Sequence, residues 1–491
     1  MANKAPALSN NKNSKLLLDG LQNPYNLYIR DSKLSGAGSG LFAGKEVPAG
    51  SEIFRVDDCQ KMALKRYHKN ECKLYKKMND PTINGGNPRV KELNTTNRML
   101  IRLVSMYEHK DITTKQWQAF QHLQYHKEAV KQASQADLAS IKRNLEINKS
   151  LTSHDLTVEE LEGIYWRIIF NQQAKRQMPD TLLGRYVVPA AAMINHSCRV
   201  NAHPVSDGAA IILRSTHLIM KDEEITRSYC AETYTYKQRQ NRLLKAYAFN
   251  CRCPRCLMDE KDDLKHMTSD LRQEDTLQAV KMEIEIYITA LMNNRPSFLS
   301  TSDIETRCKQ LCNISETAKW WPIDLDPIPA LLLGLAARFE AEGQWKRALG
   351  LRFKIVYLIN PIRFRDRLNP FRLSQEFDLI QLERRICQLM KTDTDVQTSF
   401  KSVKSAIDWV LYGHILILLG DTQESFGVNH VFHKILRHLD QQFVDAKLRD
   451  SGMKESQWYS MQVTNEHKVL QDKSEDVLLK WLGIDLGDNF F

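Results

Sequence analysis

The sequence predicts an α+β protein: a β core interrupted by a helical insertion and followed by a long, wholly helical half. Three observations predict it. Short β-compatible runs separated by glycine-bearing turns fill Tyr25 to Phe54, and strands return at Tyr186 to Pro189 and at Ala209 to Arg214. Between about Asp57 and Glu162 apolar residues instead recur at helical spacing, as in Arg98 to Val104 and Trp117 to Leu123. Past Cys256 the pattern is helical almost continuously. A chain of 491 residues is long enough for roughly two to four domains, each with its own core.

Taken in order, residues 1–24 are polar and read as flexible, ending at Asn23-Pro24. Asp80-Pro81 and the run Asn84 to Pro88 break the helical insertion. Thr157-Val158-Glu159-Glu160 is a capping-box start, the threonine oxygen and the Glu160 carboxylate answering early helix amides. The helix it opens presents Leu161, Ile164, Tyr165, Ile168 and Ile169 inward and delivers Asn171 at its end. In the helical half, Leu335-Ala336, Phe339, Gly343, Trp345, Ala348 and Pro361 approximate a tetratricopeptide repeat, with small residues where two helices touch. Its spacing to Pro361 is about one residue longer than the usual repeat, and one copy is found, so a loosely repetitive helical domain is expected.

Composition excludes little. Hydrophobic residues make up 42% and charged residues 26%, ordinary for a globular protein. No run of about 18 apolar residues occurs, so no membrane span is expected. Met1 to Gly20 lacks the apolar core of a secretory signal, which places the protein inside the cell, in nucleus or cytoplasm, with reduced cysteines. The net charge of +10, spread over 69 basic and 59 acidic residues, is a modest excess that does not select a partner.

Four stretches carry chemistry: Gly38-Ser39-Gly40-Leu41-Phe42-Ala43 with Val47 to Ile53, Asn195-His196-Ser197-Cys198, Glu223 to Tyr229, and Phe249-Asn250-Cys251-Arg252-Cys253-Pro254-Arg255-Cys256. Singly, a Gly-X-Gly is usually a β-turn and an Asn-His pair a satisfied polar group. In this order they resemble the catalytic half of a SET-domain protein-lysine methyltransferase of the SET-and-MYND group. The resemblance implies a SET-type β core with a pseudoknot, S-adenosyl-L-methionine as methyl donor, and a protein substrate presenting a lysine. It divides the chain into a flexible N-terminus at 1–24, a first SET part at 25–56 and a helical insertion with a MYND remnant at 57–162. The SET core follows at 163–248, then a post-SET cysteine cluster at 249–261 and a helical TPR-like domain at 262–491, for which peptide binding is an expectation.

By the same resemblance, Gly38, Ser39, Gly40, Asn171, Asn195, His196, Tyr229 and Phe249 contact the cofactor, with Tyr229 the catalytic residue facing the reacting nitrogen. Relatives carry Ser-Phe after the asparagine matched by Asn171, whereas this chain has Gln172-Gln173; they carry Asp-Pro where it has Arg199-Val200. Tyr229 is not expected to act as a strong base, since an unperturbed tyrosine has a pKa near about 10. Deprotonating a free lysine at neutral pH costs about 4–5 kcal/mol, a cost that a dry channel beside a sulfonium reduces. Glu223 and Glu224 read as turn residues.

Cys251-X-Cys253-X2-Cys256 supplies three thiolates within six residues. The resemblance adds Cys198 as a fourth ligand of a structural Zn2+. Cys59, His68 and Cys72 match the tail of a MYND finger, but three ligands drawn from two sites close neither, so a truncated, metal-free finger is expected. Cys308 and Cys312 read as buried apolar thiols. The competing expectation is a catalytically silent SET scaffold that engages partners through its helical half. Direct nucleic-acid binding is not expected, because no basic helix adjoins the cysteines.

Overall fold

The computed structural model describes residues 16–19, 21–22, 24–34, 37–56, 68–79, 94–125, 156–177, 181–208, 210–266, 271–292, 300–313, 327–364, 366–463 and 466–484. Cys59 of the expected finger remnant, the break at Asp80 to Pro88 and nearly all of the expected flexible N-terminus lie outside these residues. The chain forms two compact units, one of residues 1–231 with 236–260 and one of residues 232–235 with 261–491.

The first unit is built on short strands. β1 (Tyr28–Asp31) pairs antiparallel with β2 (Ser39–Phe42). β3 (Glu52–Val56) and β7 (Ala202–Asp207) flank β8 (Ala210–Ser215), all antiparallel. β8 reads Ala-Ile-Ile-Leu and has its apolar residues buried, as expected of a central strand covered on both faces. β4 (Gln173–Gln177) pairs with β5 (Thr181–Tyr186), and β6 (Asn195–His196) runs parallel to β9 (Thr226–Arg227).

Helices α1 (Lys69–Asn79), α2 (Thr95–Glu108), α3 (Thr114–Gln121) and α4 (Val158–Asn171) belong to the same unit. Those of α2 to α4 join the sheet residues in one core: Leu100, Val104, Phe120, Leu161 and Ile168 pack with Leu41, Val47, Ile53 and Ile225. The α4 capping box forms, with Glu160 N donating to Thr157 Oγ1 at 3.1 Å and Thr157 N to Glu160 Oε2 at 2.8 Å. The strand expected at Tyr186 to Pro189 needs correction: β5 ends at Tyr186, and Pro189 opens the short helix α5 (Pro189–Ala192). A proline has no N–H to give a ladder and its fixed φ suits the first helical turn. Two further helices, α6 (Tyr236–Tyr247) and α7 (Pro254–His266), bracket the cysteine cluster.

The second unit is helical: α8 (Leu271–Met292), α9 (Thr301–Asn313), α10 (Ile328–Ala341), α11 (Trp345–Lys354), α12 (Asn360–Arg363), α13 (Pro370–Leu389), α14 (Thr394–Phe400), α15 (Lys404–Ser425), α16 (Val431–Ser451), α17 (Glu455–Val463) and α18 (Glu466–Leu482). Helices α10 and α11 form the hairpin read as a repeat, turned at Gly343 with φ +73°, and its Leu335, Ala336, Phe339 and Ala348 are fully buried. Pro361 does not end the second helix. A π-helical turn, Ile355–Ile359, precedes it and the helix continues to Arg363. Widening the ladder is what lets a ring without an N–H sit inside a helical run.

One helical stretch, Thr394–Phe426, is long and apolar enough by length and composition to cross a membrane, and half of it is buried inside the protein. Its Ile407 and Val410 share a core with Leu379 and Ile386 of α13 and Leu478 of α18, the placing of a core helix.

Candidate functional site

Three stretches far apart in sequence interlace at the centre of the first unit. Leu41 N donates to Met193 O at 3.0 Å and Ile225 N donates to Leu41 O at 2.8 Å, so β2 lies between the segments leading into β6 and β9. The 195–201 segment is tied to β9 at both ends, by Ser197 N to Arg227 O and Asn201 N to Thr226 O. Asn201 locks the crossing: its Nδ2 donates to Glu224 O at 2.9 Å and its Oδ1 accepts from Thr226 N at 2.7 Å. An amide that is 4% exposed stays stable here because both its ends are answered.

Glu224 is the second lock. Its carboxylate accepts from Ser32 Oγ at 2.7 Å and from Asn195 Nδ2 at 2.8 Å. A Cβ on Gly40 would overlap this carboxylate and the Asn195 amide. Gly40 therefore makes room for a buried acid–amide contact, a reason for glycine different from close approach to a ligand. Glu223, beside it, accepts from Met220 N at 2.8 Å and closes the turn. Glu223 is thus the turn residue expected of it, whereas Glu224 is not merely one: its role depends on partners 29 and 192 residues away.

A cavity of about 120 Å3 opens against this crossing, lined among others by Gly38, Ser39, Asn171, Asn195, His196, Tyr229 and Phe249. The structure thus brings seven of the eight expected cofactor contacts to one place, while Gly40 lies behind the wall. Arg227 and Tyr247, which the sequence reading passed over, line it too. Both asparagines have spent their N–H groups. Asn195 Nδ2 donates to Ser39 O and Glu224 Oε1, and Asn171 Nδ2 to Gln124 O and Arg167 O, both at 2.8 Å. What each retains is an amide oxygen, an acceptor suited to ammonium or hydroxyl groups.

His196 is buried, and burial drives its pKa down to about 4. Its Nδ1 accepts from Tyr229 N at 3.0 Å, so the neutral ring carries its hydrogen on Nε2, which faces Cys198 Sγ at 3.3 Å. Tyr229 packs among His196, Tyr247 and Phe249, and its hydroxyl donates to Ile194 O at 2.7 Å. Burial lifts its pKa to about 12, so it remains a phenol with oxygen lone pairs to spare.

Cys198, Cys251, Cys253 and Cys256 are all buried, with sulfurs within 4.8 Å of one another and Cys198 to Cys256 at 3.5 Å. Four thiolates about 2.3 Å from one Zn2+ stand about 3.8 Å apart, so the set fits a tetrahedral structural zinc. Arg239, 1% exposed, lies 3.9 Å from Cys256 Sγ and pairs with Asp259 at 2.6 Å, and Arg255 pairs with the same Asp259. Cationic donors behind the sulfurs, with the His196 N–H on Cys198, form the outer layer that holds ligand thiolates in place. Cys230 packs against the group without joining it. Of the finger remnant, His68 and Cys72 face each other on α1 at 3.4 Å; Cys308 is fully buried and apolar in setting.

Residues 38–230 match the family model of the SET domain. The chain's similarities run to SET-and-MYND proteins. It is 29% identical to "N-lysine methyltransferase SMYD2-A" of Danio rerio over 135 residues, 27% of this chain and 30% of that one. It is 32% identical to "SET domain and MYND-type zinc finger protein 6" of Schizosaccharomyces pombe over 117 residues, 23% of this chain and 24% of that one. The chain thus spans less than a third of the length of these curated relatives. A solved structure, the SET domain of LSMT bound to lysine and AdoHcy, is 15% identical over 91% of this chain and 94% of that one at a TM-score of 0.29, and no argument rests on it.

Proposed function

We propose that this chain transfers a methyl group from S-adenosyl-L-methionine to a lysine side chain of a protein, inside the cell. The observation that carries the reading is the meeting of Gly38, Ser39, Asn171, Asn195, His196, Tyr229 and Phe249 at one cavity next to a four-cysteine cluster. The similarity to a protein named as an N-lysine methyltransferase supports it.

The donor supplies a methyl group already activated on sulfur. The chain's own residues have to bind, orient and keep water out. In this reading the Asn171 and Asn195 oxygens accept from the donor's amino and hydroxyl groups, and Phe249 offers an apolar face to its base. Tyr229, fixed by its bond to the Ile194 carbonyl, accepts an N–H of the incoming amine and aims its lone pair. Cys198, Cys251, Cys253 and Cys256 would hold a structural Zn2+ that ties the Asn195-His196 segment to the one bearing Phe249. The helical unit is proposed to bind a peptide partner.

A radiolabelled methyl-transfer assay over a panel of proteins tests the reading. Tyr229→Phe is expected to lower turnover about 100-fold or more, with donor binding nearly unchanged. Equal turnover in both proteins removes Tyr229 from the reaction. One observation favours a second reading, a silent scaffold: the cavity is small against the about 300–1,000 Å3 of typical small-molecule sites, so a nucleoside must open its wall. Failure of the donor to bind in calorimetry would select that reading.

A further inference from the structure

The cavity holds a charge that a site for cations would not be expected to carry. Among the described residues lining it, Arg227 is the one permanently charged side chain, and no carboxylate lines it. Its guanidinium sits over the ring of Tyr229, 4.6 Å from the centroid, and its Nε is buried without a hydrogen-bond partner. Among the described residues no ion pair answers the charge. The residue is held there by β9, where Ser197 N donates to its carbonyl.

We infer that Arg227 is the charge filter of this cavity: it disfavours cationic occupants, so the acceptor nitrogen is held as a neutral amine and the neutral thioether product binds more tightly than the sulfonium donor. The identity of these ligands rests on the methyl-transfer reading. An ammonium entering beside Tyr229 meets a like charge in a partly dry space, which favours release of its proton to solvent. In the transfer, the nitrogen lone pair forms the N–C bond while the C–S pair stays on sulfur, so the positive charge moves from sulfur to nitrogen. The product amine then meets the same repulsion, which speeds its exit. Arg227 is thus a specificity-determining residue that also makes the site prone to inhibition by its own thioether product.

Calorimetry with S-adenosylmethionine and S-adenosylhomocysteine, on the full chain, tests this. The wild type is expected to prefer the thioether by about tenfold, the scale of one partly screened unit-charge repulsion. Arg227→Met is expected to erase most of that preference, and Arg227→Lys, which keeps the charge, to retain it. Where transfer is measurable, Arg227→Met should also move the rising limb of the kcat profile about one pH unit upward. A structural role alone would weaken both ligands together and leave limb and ratio in place. An unchanged ratio in Arg227→Met, or a ratio lost in Arg227→Lys, overturns the filter and leaves the methyl-transfer reading intact. If neither ligand binds the folded wild type, that reading falls and the filter with it. Should the Met variant not fold, Arg227→Gln gives the same comparison.

Discussion

Each unit encloses a histidine, and the two have pKa values shifted in opposite directions. In the first unit, His196 meets a backbone N–H and a thiol, and burial, outweighing the pull of Cys253, pushes its pKa down to about 4. In the second, His414 of α15 donates from Nδ1 to Glu383 at 2.9 Å and contacts the Tyr357 hydroxyl at 2.5 Å. Burial works against a charged ring there too, but Glu383, with Glu475 and Glu376 behind it, outweighs the burial and raises the His414 pKa. Glu383 itself is raised, first by burial and against the pull of His414. The difference teaches that burial alone does not set a histidine's charge; the partner supplied by the neighbouring helix or strand does. The first unit's polar cluster opens on a cavity, while the second unit's joins α13, α15, α18 and the π-helical turn that precedes Pro361.

The largest way to break the symmetry is to remove metal. Chelation, or Cys253→Ser, should unfold the crossing in the first unit, with the loss of several kcal/mol expected of a structural zinc, and leave the second unit's exchange protection in place. Segment-resolved hydrogen exchange reads both, and equal loss in the two units contradicts a local zinc.

The pH response sharpens it. His196 has a folded pKa of about 4, below its unfolded value of about 6.5, so its contribution is present above pH 6.5 and lost as pH falls toward 4. That loss is worth about 3 kcal/mol. His414 and Glu383 both have folded pKa values above their unfolded ones, so the native second unit binds more protons than its unfolded chain. Its stability from this pair is fullest in mild acid and declines as pH rises through the folded values. The two units should therefore lose protection at opposite ends of a pH series. Replacing both partners, Glu383→Gln with His414→Gln, should flatten the alkaline decline while the acid one stays. A common slope in both units would defeat the contrast.

The smallest effect is local to α4. Thr157→Ala removes half of a capping box and should cost about 1 kcal/mol, seen in the first unit's unfolding midpoint.

Much of the first unit was legible in the chain. Thr157 and Glu160 marked a helix start because capping is a contact between near neighbours. The spacing of Cys251, Cys253 and Cys256 marked a metal site because three thiolates within six residues can reach one ion. The strand expected to reach Pro189 stops at Tyr186 because Pro189 cannot donate to a ladder and, followed by three alanines, opens a short helix. Glu224, Asn201 and Arg227 were passed over since nothing adjacent to them in sequence hints at their partners or, for Arg227, at the want of one.

What the sequence by itself determined is the kind of element each stretch forms and which side chains have the chemistry to bind metal, accept a hydrogen bond or pack. Those properties are local, governed by periodicity, caps and residue type. Only the tertiary structure decided which amide hydrogens were already spent, why Gly40 must be bare, and which histidine stays neutral. These depend on distance through space and on exclusion of water, and the chain acquires both only when β2, β6 and β9 cross.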